Sequence, residues 1–200
     1  MQYFDTLPKA IHIDAAGTSK IVTNLMARVS IIPELLKNPL NFYSYDIQEG
    51  DTPEIIAHKY YGDSYRYWIV MMANELLDPQ WDWPMNNKVF ANYLANKYPG
   101  VDTTSEVHHY EKIITQYDSG SLTTTVNKIQ ITEDVYNGLP VTQTTSYNLP
   151  SGSVSITVER NAVSLYDYEL ELNESKRNIK LLDAIYTNEL ETEFKKLMEV

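Results

Sequence analysis

Phe42-Tyr43-Ser44-Tyr45-Asp46-Ile47-Gln48-Glu49-Gly50-Asp51-Thr52-Pro53-Glu54-Ile55-Ile56 changes grammar twice within fifteen residues. Phe42 to Ile47 is aromatic-rich and roughly alternating, the pattern of a short strand, and it ends in the turn residues Glu49-Gly50-Asp51. Thr52 or Asp51 then caps a helix. Pro53 stands in its first turn, where a missing N–H is harmless, and Glu54 meets the positive end of the dipole. Ile55, Ile56 and Tyr60 share a face of that helix, and Gly62 stops it. Asp63 or Ser64 caps a second helix from Tyr65 to Asn74, with Trp68, Ile69 and Met72 on its buried side, so the expected order is strand, helix, helix.

Outward from this stretch the signals weaken. Toward the amino terminus, Ile21, Leu25, Met26, Val29, Ile32, Leu35 and Leu36 recur near helical spacing, which predicts a helix over 19–30 and a short turn of helix before Pro39. In the other direction Asp78-Pro79 ends the unit, Trp81-Asp82-Trp83-Pro84-Met85 reads as an extended link, and Asn86 or Asn87 caps a third helix through Lys97. From Val101 to Val158 Ser and Thr rise and period-two runs appear. Strands are expected at 107–117, 123–135, 141–147 and 153–158, broken by turns at 118–121, 137–140 and 149–153. Four thin polar strands bury little alone, so this ribbon reads as partner-facing. Ser164 caps a charged helix over 165–177, Asn178 to Leu182 either continues it or forms an extended segment, and Asn188 with Glu191 makes a capping-box pattern for a final helix to Met198. The expected segments are 1–40, 41–100, 101–160 and 161–200, in the α+β class.

Composition limits the chemistry. Sixteen Lys and Arg against 27 Asp and Glu leave a net charge of −11 over 200 residues, which repels phosphate backbones and anionic lipid. Nucleic acid and membrane are therefore not expected partners, and the longest apolar run, Tyr67 to Ala73, is too short to span a bilayer. The amino terminus shows no signal-peptide pattern. Cysteine is absent. The four histidines offer no metal-binding spacing, and the adjacent His108 and His109 are expected on opposite faces of a strand. Carboxylates at Asp46, Glu49, Asp51 and Glu54 sit at turns and caps rather than in a general acid–base arrangement, and there is no phosphate-cradling glycine loop. No enzyme, cofactor or metal is expected. Tyrosine, by contrast, occurs 16 times, a residue suited either to an aromatic-rich core or to protein interfaces.

The run Tyr43 to Thr52, followed by Ile55-Ile56-Ala57 and Tyr60-Tyr61-Gly62-Asp63, resembles the opening of a LysM module, and Trp68 and Asn74 match that family's second helix. The resemblance implies a shallow N-acetylglucosamine groove with Glu49, Gly50, Asp51, Thr52 and Pro53 on one side and Asn74, Leu76, Leu77 and Asp78 on the other. It departs at Trp81-Asp82-Trp83-Pro84-Met85, where that family has the turn leading into its closing strand.

A wider pattern is similar to the baseplate wedge protein 53 family of contractile-tailed bacteriophages. It comprises Tyr3-Phe4-Asp5, Tyr61-Gly62-Asp63, Tyr67-Trp68, Met71-Met72-Ala73-Asn74, Asp78-Pro79, Tyr168-Glu169, Leu172-Asn173-Glu174, Lys176-Arg177 and Ile179. That resemblance implies a structural subunit of the virion tail baseplate, present in multiple copies and joining neighbouring wedge proteins into the ring around the hub, without catalysis or cofactor. Together with the pattern along the chain, the expected architecture is a small LysM-like β-α-α module with a helical amino-terminal arm, an antiparallel β-hairpin insertion and carboxy-terminal helices. Tyr43, Tyr45, Tyr61, Tyr65, Trp81 and Trp83 are the candidate partner contacts; the alternative function is a peptidoglycan-binding LysM protein.

Overall fold

The computed structural model describes residues 3–27, 29–31, 37–150 and 152–198. The chain is α+β. Among the described residues it has six α-helices and three antiparallel sheets, divided into two compact units, Met1–Asn87 with Glu174–Val200 and Lys88–Asn173. The first unit is completed by chain from both sides of the second.

The first unit holds strands β1 (Lys9–Ile13), β2 (Ser19–Thr23) and β3 (Phe42–Asp46), helices α1 (Pro53–Tyr61) and α2 (Tyr67–Ala73), and, after the second unit, strand β8 (Asn178–Leu182) and helix α6 (Thr187–Met198). α1 starts as the sequence dictates: Thr52 Oγ1 accepts from the N–H of Ile55, Pro53 fills the first turn, and Gly62 ends the helix at φ 72°, a conformation that penalises any Cβ. Asp63 caps a 3₁₀ turn, Ser64–Arg66, that leads straight into α2. Trp68, Ile69, Val70 and Ala73 of α2 are all buried. Around them lie Leu7, Ile47, Ile56, Ala57, Tyr61, Ile179, Leu181, Leu182, Phe194 and Met198, so α2 is the centre of the core. Tyr3, Trp68 and Phe194 pack against one another as tilted rings, with centroids 4.9–5.9 Å apart, fastening the amino-terminal segment to α2 and α6.

Asn178 to Leu182 is the extended alternative. β8 pairs antiparallel with β3, from Phe42↔Leu182 to Asp46↔Asn178, and closes a β3-α1-α2-β8 arrangement. Asn74 seals the corner: its Oδ1 accepts from Lys180 N at 2.7 Å and its Nδ2 donates to the carbonyls of Val70 and Lys180, both at 2.8 Å.

Two helical expectations change. Residues 19–23 form a strand rather than the start of a helix over 19–30, so the amino-terminal arm is a hairpin, β1 against β2 over five residue pairs. The Asp14 carboxylate accepts from the N–H of Ala16 and Thr18 and builds the turn, and the β-branched Ile21, Val22 and Thr23 suit the extended chain it sets up. The short helical turn expected before Pro39 lies mostly on residues outside the described ones. At the other end, Asn188 and Glu191 do not form a capping box. Asp183 caps a 3₁₀ turn, Ala184–Tyr186, ahead of α6, and Asn188 and Glu191 instead receive the Arg66 guanidinium, both at 2.9 Å.

The second unit holds the rest of α3 (Asn87–Lys97), strands β4 (Val107–Asp118) and β5 (Thr123–Ile131), helix α4 (Glu133–Gly138), strands β6 (Thr142–Leu149) and β7 (Gly152–Ser164), and most of helix α5 (Leu165–Glu174). The strand order is β5-β4-β7-β6, so two hairpins join through their first and last strands. Their tips meet closely: a Cβ on Gly152 would fall 2.9 Å from Gly120 N, at φ 146°, which only glycine tolerates. Ser164 Oγ accepts from Asp167 N and caps α5 as expected.

Candidate protein interface

The turn from Ile47 to Pro53 is built by a carboxylate pointing inward. Gly50 takes φ 85°, Asp51 N donates to Gln48 O at 3.0 Å, and the Asp51 side chain, itself buried, gathers three donors. Lys59 Nζ reaches Oδ1 at 2.6 Å; Tyr45 Oη and Gln48 N reach Oδ2 at 2.7 and 3.2 Å. Burial raises the Asp51 pKa, but the bonds from Lys59, Tyr45 and Gln48 outweigh it and hold the carboxyl below its usual range. The same bond to Asp51, with burial, pushes the Tyr45 phenol up to about 12.

The neighbouring expected site residues are engaged within the unit as well. Trp83 Nε1 donates to Asp51 O at 2.9 Å and its ring packs on the core. Glu49 accepts from Asn87 N at 2.9 Å and lies 3.7 Å from Arg177, whose guanidinium also donates to Ile47 O and to Glu174. Thr52 and Pro53 are spent on starting α1, and Asn74 on joining α2 to β8. Leu77 N and Asp78 N donate to Asp82, while Asp78 itself accepts from Gln80 N. The hollow beside Asn74, Leu76 and Leu77 is walled by Asp82, Lys176, Asn178 and Ile179, not by the 49–53 turn.

The six aromatic candidates divide evenly. Tyr43, Tyr65 and Trp81 are half exposed or more, at 55%, 55% and 51%. Tyr61 is buried with its hydroxyl on Leu182 O at 3.0 Å, Tyr45 is tied to Asp51, and Trp83 packs on the core. Tyr61, Tyr45 and Trp83 thus carry bonds within the unit: a tyrosine's ring fills a core wherever its hydroxyl finds a partner. Exposed apolar side chains also mark the β1–β2 hairpin, with Ile11, Ile13 and Ile21 at 73%, 65% and 77%.

A family described as Base plate wedge protein 53 matches residues 23–199. The chain belongs to that family. It is a structural, non-enzymatic component of the phage tail baseplate, and its place is in the virion. The chain is also similar to "Baseplate wedge protein gp53" of Enterobacteria phage T4, 29% identical over 66 residues, a stretch covering 33% of this chain and 34% of that protein. On that match the chain spans about a third of the relative's length.

Two features of this wedge-family chain escape sequence reading. Glu169 is buried at 4% exposure and accepts from Lys97 Nζ at 2.7 Å, Tyr98 Oη at 2.8 Å and Tyr93 Oη at 3.1 Å, joining α3 to α5. Burial raises its pKa, yet the three donors outweigh that and lower it, while the Glu169 bond raises the pKa of Lys97. Lys97 four residues after Tyr93 was the available signal; nothing local pointed to Glu169 as their shared acceptor. His108 and His109 are also not on opposite faces. A bulge between Val107 and His109 breaks the alternation and brings their Nδ1 atoms to 2.8 Å, with His108 stacked on Tyr168 at 3.8 Å. Among the described residues no group of three or more His, Cys, Asp or Glu side chains is placed to hold a metal ion, and no helix is long and apolar enough to cross a membrane.

Proposed function

We propose that this wedge-family protein joins neighbouring wedge proteins into the ring around the hub, in multiple copies, through its two units. The observation that carries this reading is the exposed apolar and aromatic surface on each of them: Tyr43, Tyr65, Trp81 and the β1–β2 hairpin on the first, and Val126, Tyr147 and Leu149 of a thin sheet on the second. A connector needs two such faces, and contiguous exposed apolar surface marks protein contact.

The first unit is a LysM-like module in this reading. Its β3-α1-α2-β8 order supports that, with the closing strand supplied by residues 178–182 instead of the Trp81–Met85 link. Glycan recognition draws less support, since Glu49, Asp51, Thr52 and Asn74 spend their polar groups on the module itself.

Mixing the purified chain with the other wedge proteins of the same phage and following the mixture by size exclusion tests the proposal. Co-elution lost on combined Tyr43→Ala, Tyr65→Ala and Trp81→Ala substitution is expected; a chain that binds none of them overturns it. Titration with chitin oligomers is expected to show no saturable binding.

A further inference from the structure

We propose that β6 is a docking edge for β6 of a second copy of this chain, the two strands pairing antiparallel about a two-fold axis at Ser146 so that two four-stranded sheets become one. This pairing goes beyond the wedge-joining reading and shares Tyr147 and Leu149 with its second-unit surface. It rests on the sheet alone.

The order β5-β4-β7-β6 leaves β5 and β6 as edges. An antiparallel ladder uses alternate N–H and C=O groups, so the remaining groups of an edge strand point away from the sheet and need a partner or water. All eight residues of β6 are exposed, and among the described residues no backbone group bonds to 142–149 except across the β6–β7 pair. Folded proteins protect such edges with charge, proline, a bulge or a covering element. β5 has such protection: Lys128 stands in its middle and pairs with Glu171 of α5 at 3.3 Å. β6 has none, for Thr142-Gln-Thr-Thr-Ser-Tyr-Asn-Leu149 contains no charge and no proline, Pro140 and Pro150 lie beyond its ends, and its pairing with β7 runs through eight residues without a register shift.

Charge and pattern identify the occupant. Two chains of net charge −11 repel each other over most of their surfaces, and an uncharged eight-residue edge is where copies can approach without opposing like charges. The register places Gln143, Thr145, Tyr147 and Leu149 on the face of Val154, Ile156, Val158, Ile114 and Ile129, and Thr142, Thr144, Ser146 and Asn148 on the other. An added strand must alternate the same way, and β6 itself does. Directly opposed residues of an antiparallel pair share a face, so a residue must meet one of its own parity. Centring on Ser146 satisfies this: Thr145 faces the second copy's Tyr147, Gln143 faces its Leu149, and the two Tyr147 rings become diagonal neighbours, carrying the apolar row across the axis. The contact is self-complementary and closes as a dimer, removing both edges together.

The absence of cysteine makes the test direct. Opposed residues in such a pair lie about 4.5–5.5 Å apart at Cα, within the reach of a disulfide. In the full chain, Ser146→Cys is expected to give a reducible covalent dimer on mild oxidation, and Thr125→Cys on the β5 edge is not. Sedimentation of the unmodified chain is expected to show a reversible dimer. Ser146→Lys, which places two lysines face to face, is expected to weaken it by about tenfold or more while leaving the circular dichroism unchanged. A chain that stays monomeric at high concentration overturns the proposal, as does a dimer indifferent to Ser146→Lys, equal cross-linking at both cysteines, or a monomer whose β6 pairs only with another wedge protein.

Discussion

The unit built on α2 encloses a core, with Ile56, Ala57, Ile69, Val70 and Leu181 at 1% exposure or less, whereas in the sheet unit Val126, Tyr147 and Leu149 remain more than half exposed and the buried apolar residues are Phe90, Leu94 and Val163. The difference follows from how each is assembled. The first unit layers two helices on a strand pair whose members come from distant parts of the chain, Ser44 and Asn178 being 134 residues apart, so apolar faces meet from several directions. The second is a single sheet that its helices meet through few contacts: Tyr110 and Arg160 against Tyr136 of α4, and His108 and Lys128 against Tyr168 and Glu171 of α5. One sheet layer has little to bury itself against. Inside it, the Glu169 hub joins α3 to α5 through polar contacts.

The contrast is most sharply tested by removing the same methyl groups from each unit. Ile69→Ala is expected to destabilise the first unit by about 3 kcal/mol, while the same truncation at the 42%-exposed Ile129 is expected to cost less than about 1 kcal/mol, both read from chemical denaturation. Equal costs would erase the distinction between a packed unit and an open one. Next in size, Glu169→Gln is expected to cost the sheet unit about 2 kcal/mol, because Lys97, Tyr93 and Tyr98 lose a buried charged acceptor. Following α3 and α5 by hydrogen exchange checks it; unchanged protection would mean that Phe90 and Leu94 suffice. Gly152→Ala is expected to loosen the hairpin tips by about 1 kcal/mol and to raise exchange at Ser119 and Gly120 with little effect on the first unit.

The smallest expected effect is shared by both units. Asp51 and Glu169 have folded pKa values below their unfolded ones, so near pH 4 the unfolded chain binds more protons than the folded chain. Their stabilisation is present above the unfolded carboxylate pKa and is lost as pH falls through the folded values. Tyr45 works in the opposite direction: its raised pKa gives stability present below the unfolded tyrosine value near 10 and lost as pH rises through about 12. Melting temperatures across pH should therefore fall at both ends, and Asp51→Asn should flatten both the acidic loss in the first unit and the alkaline loss due to Tyr45.

Much of the first unit's opening is legible because its signals are local. Thr52 and Pro53 start α1, Gly62 stops it, and Asp63 opens the turn into α2, each acting within four residues of its partner. The four strands of the second unit are legible through period-two patterning and the turn residues between them, but the strand expected over 123–135 ends at Ile131, and Glu133–Gly138 is a helix that the β-branched run ahead of it concealed. The candidate site is less legible. The groove residues Glu49 to Pro53 and Asn74 are real corners of the fold, but a sequence does not show which acceptors and donors they already satisfy.

The local units are written in the chain, and so are the motifs that resemble the wedge family. A chain without cysteine has no thiol chemistry, and caps, turns and periodicity set α1, α2, α3, α5 and the two hairpins of the second unit. Folding of the whole chain sets the rest: 178–182 is a strand, 19–23 pairs with 9–13, His108 and His109 touch, and Tyr61 is buried while Tyr43, Tyr65 and Trp81 are exposed. The reason is range. Capping and turn formation depend on neighbours along the chain, whereas a strand's partner, a bulge's effect on alternation and a ring's burial are set by residues brought together only when the whole chain has folded.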